Sequence, residues 1–194
     1  QITSAKSKGN GQIDPKEWVR YFKELLNVKQ EGNSQYLDYI KHSLKIVGKK
    51  SSKEGPIDSN ITMKELENVL KAAKNRKSPG PDMITNEMIK MGNGDFKKTL
   101  LFVFNKILAS GEYPDVWKDS LITPIHKSGD LEDPCNYRGV ALADCLSKIF
   151  CKIINKTIVQ HLEERKFWNY NQNGFRNGAR TEDNIFAVQT LFEK

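Results

Sequence analysis

Residues 122–142, ITPIHKSGDLEDPCNYRGVAL, constrain the fold more than any other stretch of the chain. Ser120 to His126 is short, apolar and β-branched, Lys127-Ser128-Gly129-Asp130 has turn chemistry, and Arg138 to Leu142 returns as a second apolar run. Two strands joined by a polar loop is the simplest structure that satisfies this pattern. Pairing would bring Lys127, at the end of the first strand, close to Arg138, at the start of the second. Two cations so placed suit the phosphates of a triphosphate or of a nucleic-acid backbone. Arg138 is equally placed to pair with Asp130 or Glu132 and close the hairpin.

Charge narrows the class of partner. With 31 Lys and Arg against 24 Asp and Glu, the chain carries +7, which fits either an anionic partner or a basic protein kept soluble by its charge. Nucleic acid is favoured over a membrane, because no segment is long and apolar enough to span a bilayer. Three cysteines, Cys135, Cys145 and Cys151, are an odd number without a CxxC pair. That argues against a disulfide framework and a zinc site, and for a reducing, intracellular compartment, nuclear or cytoplasmic. Cys145 and Cys151 fall in an apolar helical pattern and are expected in the core. The polar start QITSAKSKGNGQ has no initiator Met and does not read as a signal peptide; a start inside a longer chain is expected.

Residues 1–13 read as linker. Asp14, Pro15 and Glu17 have the spacing of a helix start, with Trp18, Phe22, Leu25 and Leu26 on one face. Residues 41–60 shift to Lys, Ser and Gly and read as a flexible connection. Thr62 and Glu65 then have capping-box spacing before the stripe Met63, Leu66, Val69, Leu70 and Ala73. Lys71 and Lys74 suit the negative end of that helix. In the following SPGP run two prolines and a glycine force a tight turn. A third helix is expected over residues 96–110 on Leu100, Leu101, Phe104, Ile107 and Leu108, stopped by Gly111. Leu146, Ile149, Phe150, Ile153, Ile154 and Leu162 mark the longest helix, and Thr181 is placed to cap a last one with Ile185, Val188, Leu191 and Phe192.

Three ordered blocks carry a family resemblance. Pro124, Ile125, Lys127, Gly129, Asp130, Pro134, Asn136, Tyr137, Arg138 and Leu142 match the pattern PIxKKGDxxxPxNYRPISL, which is similar to the fingers segment of non-LTR (LINE-type) retrotransposon reverse transcriptases. Gly139, Val140 and Ala141 replace that family's Pro, Ile and Ser. KSPGPD at Lys77 to Asp82 and QNGFRNGART at Gln172 to Thr181 resemble the family's KSPGPDGI and QxGFRxGRST, with Met83 where the family has Gly. Trp18, Tyr21, Phe22, Leu25 and Leu26 also match a WxxYFxxLL segment that lies in the family between an upstream endonuclease and the polymerase.

The resemblance implies a helix-rich α+β fold: fingers and partial palm of a right-hand polymerase, with a β-hairpin. Residues 57–194 would be the N-terminal part of the reverse transcriptase domain, and residues 1–56 an upstream linker and amphipathic helix. Lys127 and Arg138 would hold the incoming nucleotide, and Lys77, Gly80, Asn136, Tyr137, Gly174, Phe175 and Arg176 would lie along the nucleic-acid path. The partners implied are an RNA template, a DNA primer, deoxynucleoside triphosphates and an endonuclease domain in the same polypeptide. Such enzymes join nucleotides with two magnesium ions held by clustered aspartates, which the family places after the GFR block. No adjacent Asp pair is present here, so those ligands are expected beyond Lys194. A non-catalytic nucleic-acid- or partner-binding domain derived from such a polymerase is the alternative. On either reading, primer extension by this chain with magnesium, all four nucleotides and a primed RNA template is expected to match a no-enzyme control. Authentic extension would move the catalytic centre to carboxylates such as Asp82, Asp115, Asp119 and Asp144.

Overall fold

The structure is a computed structural model, described here for residues 13–27, 42, 59–169, 172–174, 176 and 178–193. It is helix-rich α+β, and the chain forms two compact units, Gln1–Ile154 and Asn155–Lys194. The elements of the first are α1 (Pro15–Leu26), α2 (Met63–Ala72), α3 (Asn86–Met91), α4 (Gly94–Ser110), β1 (Ser120–His126) and β2 (Tyr137–Ala143). Next comes α5 (Cys145–Glu164), whose first half belongs to this unit, and α6 (Thr181–Phe192) lies in the second. The linker expected over residues 1–13, apart from Ile13, and the flexible connection expected over residues 41–60, apart from His42, Ser59 and Asn60, lie outside the described residues, as does the domain boundary expected near residue 56.

Local chemistry starts each helix where the sequence places it. Thr62 and Glu65 form the reciprocal capping box of α2, the Glu65 carboxylate accepting from Thr62 N–H at 2.8 Å. Thr85 caps α3 and Asn93 caps α4, which stops at Gly111 in the left-handed conformation. The stripes of these helices meet in one core: Ile61 with Leu66, Val69 and Leu70 of α2, Ile89 of α3, Leu100 and Phe104 of α4, and Cys145, Ile149, Phe150 and Ile153 of α5. Trp117 closes its edge, with its ring 6.1 Å from that of Phe104 and 6.2 Å from that of Phe150. Asn105 ties α4 to the residue before α2, accepting from Ile61 N–H at 2.7 Å and donating to its carbonyl at 3.0 Å.

The hairpin pairs antiparallel from Ser120↔Ala143 to His126↔Tyr137. Two strands alone expose both faces and are marginal in water. Here α1 covers one face. Trp18 stacks on Phe22 at 5.7 Å and meets Tyr137 edge-on at 4.8 Å, with Ile122 packed against them. Gly139 makes this fit possible, because a Cβ there would come within 2.5 Å of Phe22 Cε1. The glycine that replaces the family's proline is thus the position over which the α1 aromatic rests.

Four expectations need correction. Asp14 caps α1 by accepting from Lys16 N–H at 2.8 Å, but Glu17 pairs with Arg20 at 3.1 Å instead of completing a capping box. Leu25 and Leu26 are exposed, outside the cluster that Trp18, Tyr21 and Phe22 form with the hairpin. Cys151 is exposed although Cys145 is buried. The residue preceding α6 is Arg180, whose N–H is held by the Asp183 carboxylate at 2.7 Å; Thr181 is the first helical residue, and Ile185, Val188, Leu191 and Phe192 are exposed.

Met83 has φ 59°, the left-handed region that costs a residue with a Cβ about 1–2 kcal/mol. The family's glycine at this position therefore has a backbone reason. Met83 is 67% exposed, so its side chain contributes little packing. Met83→Gly is expected to raise the unfolding free energy by about 1 kcal/mol, read by urea denaturation. A loss of stability would contradict this turn geometry.

Candidate nucleotide and nucleic-acid interface

Strand alternation decides where the two hairpin cations go. Tyr137 and Gly139 face α1, so Arg138 points from the opposite face, across from Ile125. Lys127 extends the ladder by one residue, its N–H donating to the Asn136 carbonyl at 2.9 Å. It therefore shares a face with Ile125 and Arg138, at a diagonal position about 7 Å from Arg138 across the strands. Both cations are exposed. Among the described residues neither forms an ion pair, and Asp130, the expected competitor, accepts instead from Glu132 N–H at 2.9 Å.

The loop that spaces these cations is fixed from within. Gly129 has φ 90°, and a Cβ there would press on the Asn136 amide at 2.8 Å. That amide donates to the Asp130 carbonyl at 3.0 Å, and the Tyr137 hydroxyl donates to the Leu131 carbonyl at 2.8 Å. Tyr137 is 5% exposed, with its ring between Trp18 and His126. The side chains of Asn136 and Tyr137 are thus committed to the loop and to α1, while Lys127 and Arg138 are left outward.

The KSPGPD block docks onto the junction of β2 and α5. Gly80 is buried, and a Cβ on it would meet the Asp144 carboxylate, Asp144 N at 2.5 Å and Ala143 C at 2.6 Å. Asp82 N–H donates to Asp144 Oδ1 at 3.2 Å. Lys77, at the outer end of the block, is exposed. Asp144 is only 3% exposed, and burial pushes its carboxyl above the usual range. The adjacent Asp82 carboxylate pushes the same way, against the Asp82 N–H and Lys148. In the sequence Asp144 stands out only as a fallback carboxylate; its burial depends on contact with a glycine far away in the chain.

In the second unit Arg176 makes a two-nitrogen contact with Glu163 of α5, Nη2 to Oε2 at 3.0 Å and Nε to Oε1 at 3.3 Å. With Asn155, Lys156, Val159, Gln160 and Glu163 it lines a shallow concavity of about 520 Å³. Gly174 is exposed beside it in sequence. Phe175 lies outside the described residues.

No protein-family profile matches the chain. It is 31% identical over 140 residues to the retrovirus-related Pol polyprotein of the type-1 retrotransposable element R1 of Bradysia coprophila, covering 71% of this chain and 14% of that protein. It is 33% identical over 125 residues to the probable RNA-directed DNA polymerase of transposon X-element of Drosophila melanogaster, covering 64% of this chain and 14% of that protein. It is 29% identical over 131 residues to the RNA-directed DNA polymerase of the mobile element jockey of the same fly, covering 67% and 14%. The chain belongs to the non-LTR retrotransposon reverse transcriptase family. It spans about one seventh of the length of these relatives.

The divalent metal ions implied by this reverse transcriptase family find no seat among the described residues. Among the described residues no three His, Cys, Asp or Glu side chains gather to hold a metal. Asp82 and Asp144 are two carboxylates only, and the burial of Asp144 favours its protonated form. Among the described residues, too, no helix is long and apolar enough to cross a membrane.

The Asp144 environment gives a signed pH dependence. Its folded pKa lies above the unfolded value of about 3.9, so the folded state holds the extra proton and stability falls as pH rises from there through the folded pKa. Asp144→Asn keeps the acceptor for Asp82 N–H and removes the titration. The variant is expected to show a flatter stability profile as pH rises above the unfolded value of about 3.9, read by urea denaturation. Profiles of equal slope would contradict the assignment.

Proposed function

We propose that this chain is the fingers and adjoining palm portion of an RNA-directed DNA polymerase encoded by a non-LTR retrotransposon, and that its hairpin grips the phosphates of the incoming deoxynucleoside triphosphate. One observation carries the reading: Lys127 and Arg138 stand on one exposed hairpin face without a carboxylate partner among the described residues, while α1 holds the other face. Arg138 offers a planar fork for two phosphate oxygens, and Lys127 a mobile point charge beside it. Together they neutralise charge on the triphosphate and orient it for in-line attack by a primer hydroxyl. Magnesium, held in the full-length polymerase by carboxylates outside this chain, would supply activation of that hydroxyl and of the leaving pyrophosphate.

The remaining residues divide by placement. Gly80, Asn136 and Tyr137 act as positioning residues, since their atoms are committed to Asp144, Asp130 and Leu131. Lys77 meets template backbone from the exposed end of its block. Arg176 contacts the RNA template, together with Gly174 and Phe175, by exchanging Glu163 for a phosphate. An endonuclease in the same polypeptide, upstream of α1, completes the proposed parent protein, and the chain alone does not polymerise.

The test separates nucleotide from template. In the full-length polymerase Lys127→Ala or Arg138→Ala is expected to raise the nucleotide KM or lower kcat by about tenfold or more, the worth of a charged hydrogen bond. Template affinity stays near wild type in both, whereas Arg176→Ala weakens template binding. Loss of thermal stability in Arg138→Ala without a nucleotide-specific defect would assign Arg138 to closing the hairpin and overturn the proposal.

A further inference from the structure

We propose that the concavity formed by α2, α3 and α4 is a second phosphate-binding station, which takes the backbone of single-stranded nucleic acid away from the hairpin tip. This rests on the reading of the chain as a polymerase segment. The concavity has a volume of about 210 Å³ and is lined by Glu67, Leu70, Lys71, Lys90 and Lys97. Three lysines and one glutamate line it, a local excess of two positive charges, with the Lys90 ammonium also bonded to the Ala73 carbonyl and Asn75.

The placement of Lys97 is the sharpest observation. It lies in the first turn of α4, which starts at Gly94, where the helix dipole disfavours a cation. It is half-buried, and among the described residues no carboxylate pairs with it; the neighbouring Lys98 takes Asp95 at 3.2 Å. A helix-capping role suits Lys71, in the last turn of α2, but not Lys97. An anion held between them accounts for both.

The segment leading away from the concavity is pinned in place. Lys90 donates its ammonium to the Ala73 carbonyl and to Asn75 Oδ1, the latter at 2.7 Å. Asn86 donates to the Lys74 carbonyl at 2.8 Å, and the Glu87 carboxylate accepts from Arg76 N–H. α3 thereby fixes the backbone of residues 73–76, from which Lys74 and Arg76 point outward with Lys77 next in line, all exposed. Cations therefore run from the concavity to the KSPGPD block on an ordered backbone, so a strand laid along them does not have to order it. A row of this kind matches successive phosphodiesters and has no donors aimed at base edges. Binding is thus independent of sequence.

The salt dependence of single-stranded RNA binding reads this directly, using the 194-residue chain and a labelled uridine oligonucleotide. Each phosphate contact contributes about 0.7 to the slope of log K against log salt. The double variant Lys71→Gln/Lys97→Gln is expected to reduce that slope by about 1.4 with the thermal transition unchanged. Glu67→Gln is expected to tighten binding, and it checks the site with a variant that removes a repulsive charge. A wild-type slope in Lys71→Gln/Lys97→Gln, with no gain in Glu67→Gln, would overturn the second station and leave the hairpin reading standing. Binding of the wild-type chain that ignores salt would overturn the station and also the template-backbone roles of Lys77 and Arg176.

Discussion

The close approach of Gly80 to Asp144 is the contact on which the geometry of the first unit depends. At that crossing the KSPGPD block passes over the junction where β2 becomes α5, leaving no room for a Cβ. One side of the junction is the hairpin with Lys127 and Arg138, and the other is the helix whose Cys145, Ile149, Phe150 and Ile153 fill the core. The loop that carries Lys77 and the strand that carries Arg138 are thereby held in one frame. Asp144 contributes an acceptor for Asp82 N–H from a buried position, with its carboxyl pushed up by burial.

The hairpin shows how a small sheet acquires one structural and one available face. Aromatic packing of Trp18 and Phe22 against Tyr137 removes one face from water, and Gly139 lets Phe22 approach. The hydrogen bonds of Asn136 and Tyr137 hold the loop, so the separation of Lys127 and Arg138 is set before any ligand arrives. Preorganised charge of this kind reduces the cost of ordering side chains on binding.

Patterns local in sequence were legible. Ser120 to His126 is the first strand, β2 extends the expected second strand by one residue at each end, and Thr62 with Glu65 caps α2. Long-range placement was not. Nothing in the spacing of Leu25 and Leu26 says that their partner surface is only two strands wide, so periodicity assigned them a buried face they do not have. Gly80 and Tyr137 match the family blocks as candidate ligand contacts, yet each is buried against residues that periodicity does not bring together. The positive φ of Met83 was foreshadowed only by the family's glycine. The cationic concavity escaped because Lys71, Lys90 and Lys97 come from three helices and form no motif.

The outward face at the hairpin tip is proposed to receive a triphosphate. Backbone amide NMR of the isotopically labelled chain, titrated with a deoxynucleoside triphosphate, tests it most directly. Saturable shifts are expected to concentrate at residues 125–129 and at Arg138, and to disappear in a Lys127→Ala/Arg138→Ala double variant whose other amide signals are unmoved. Shifts spread evenly over the basic surface, or unchanged by the double substitution, would contradict it.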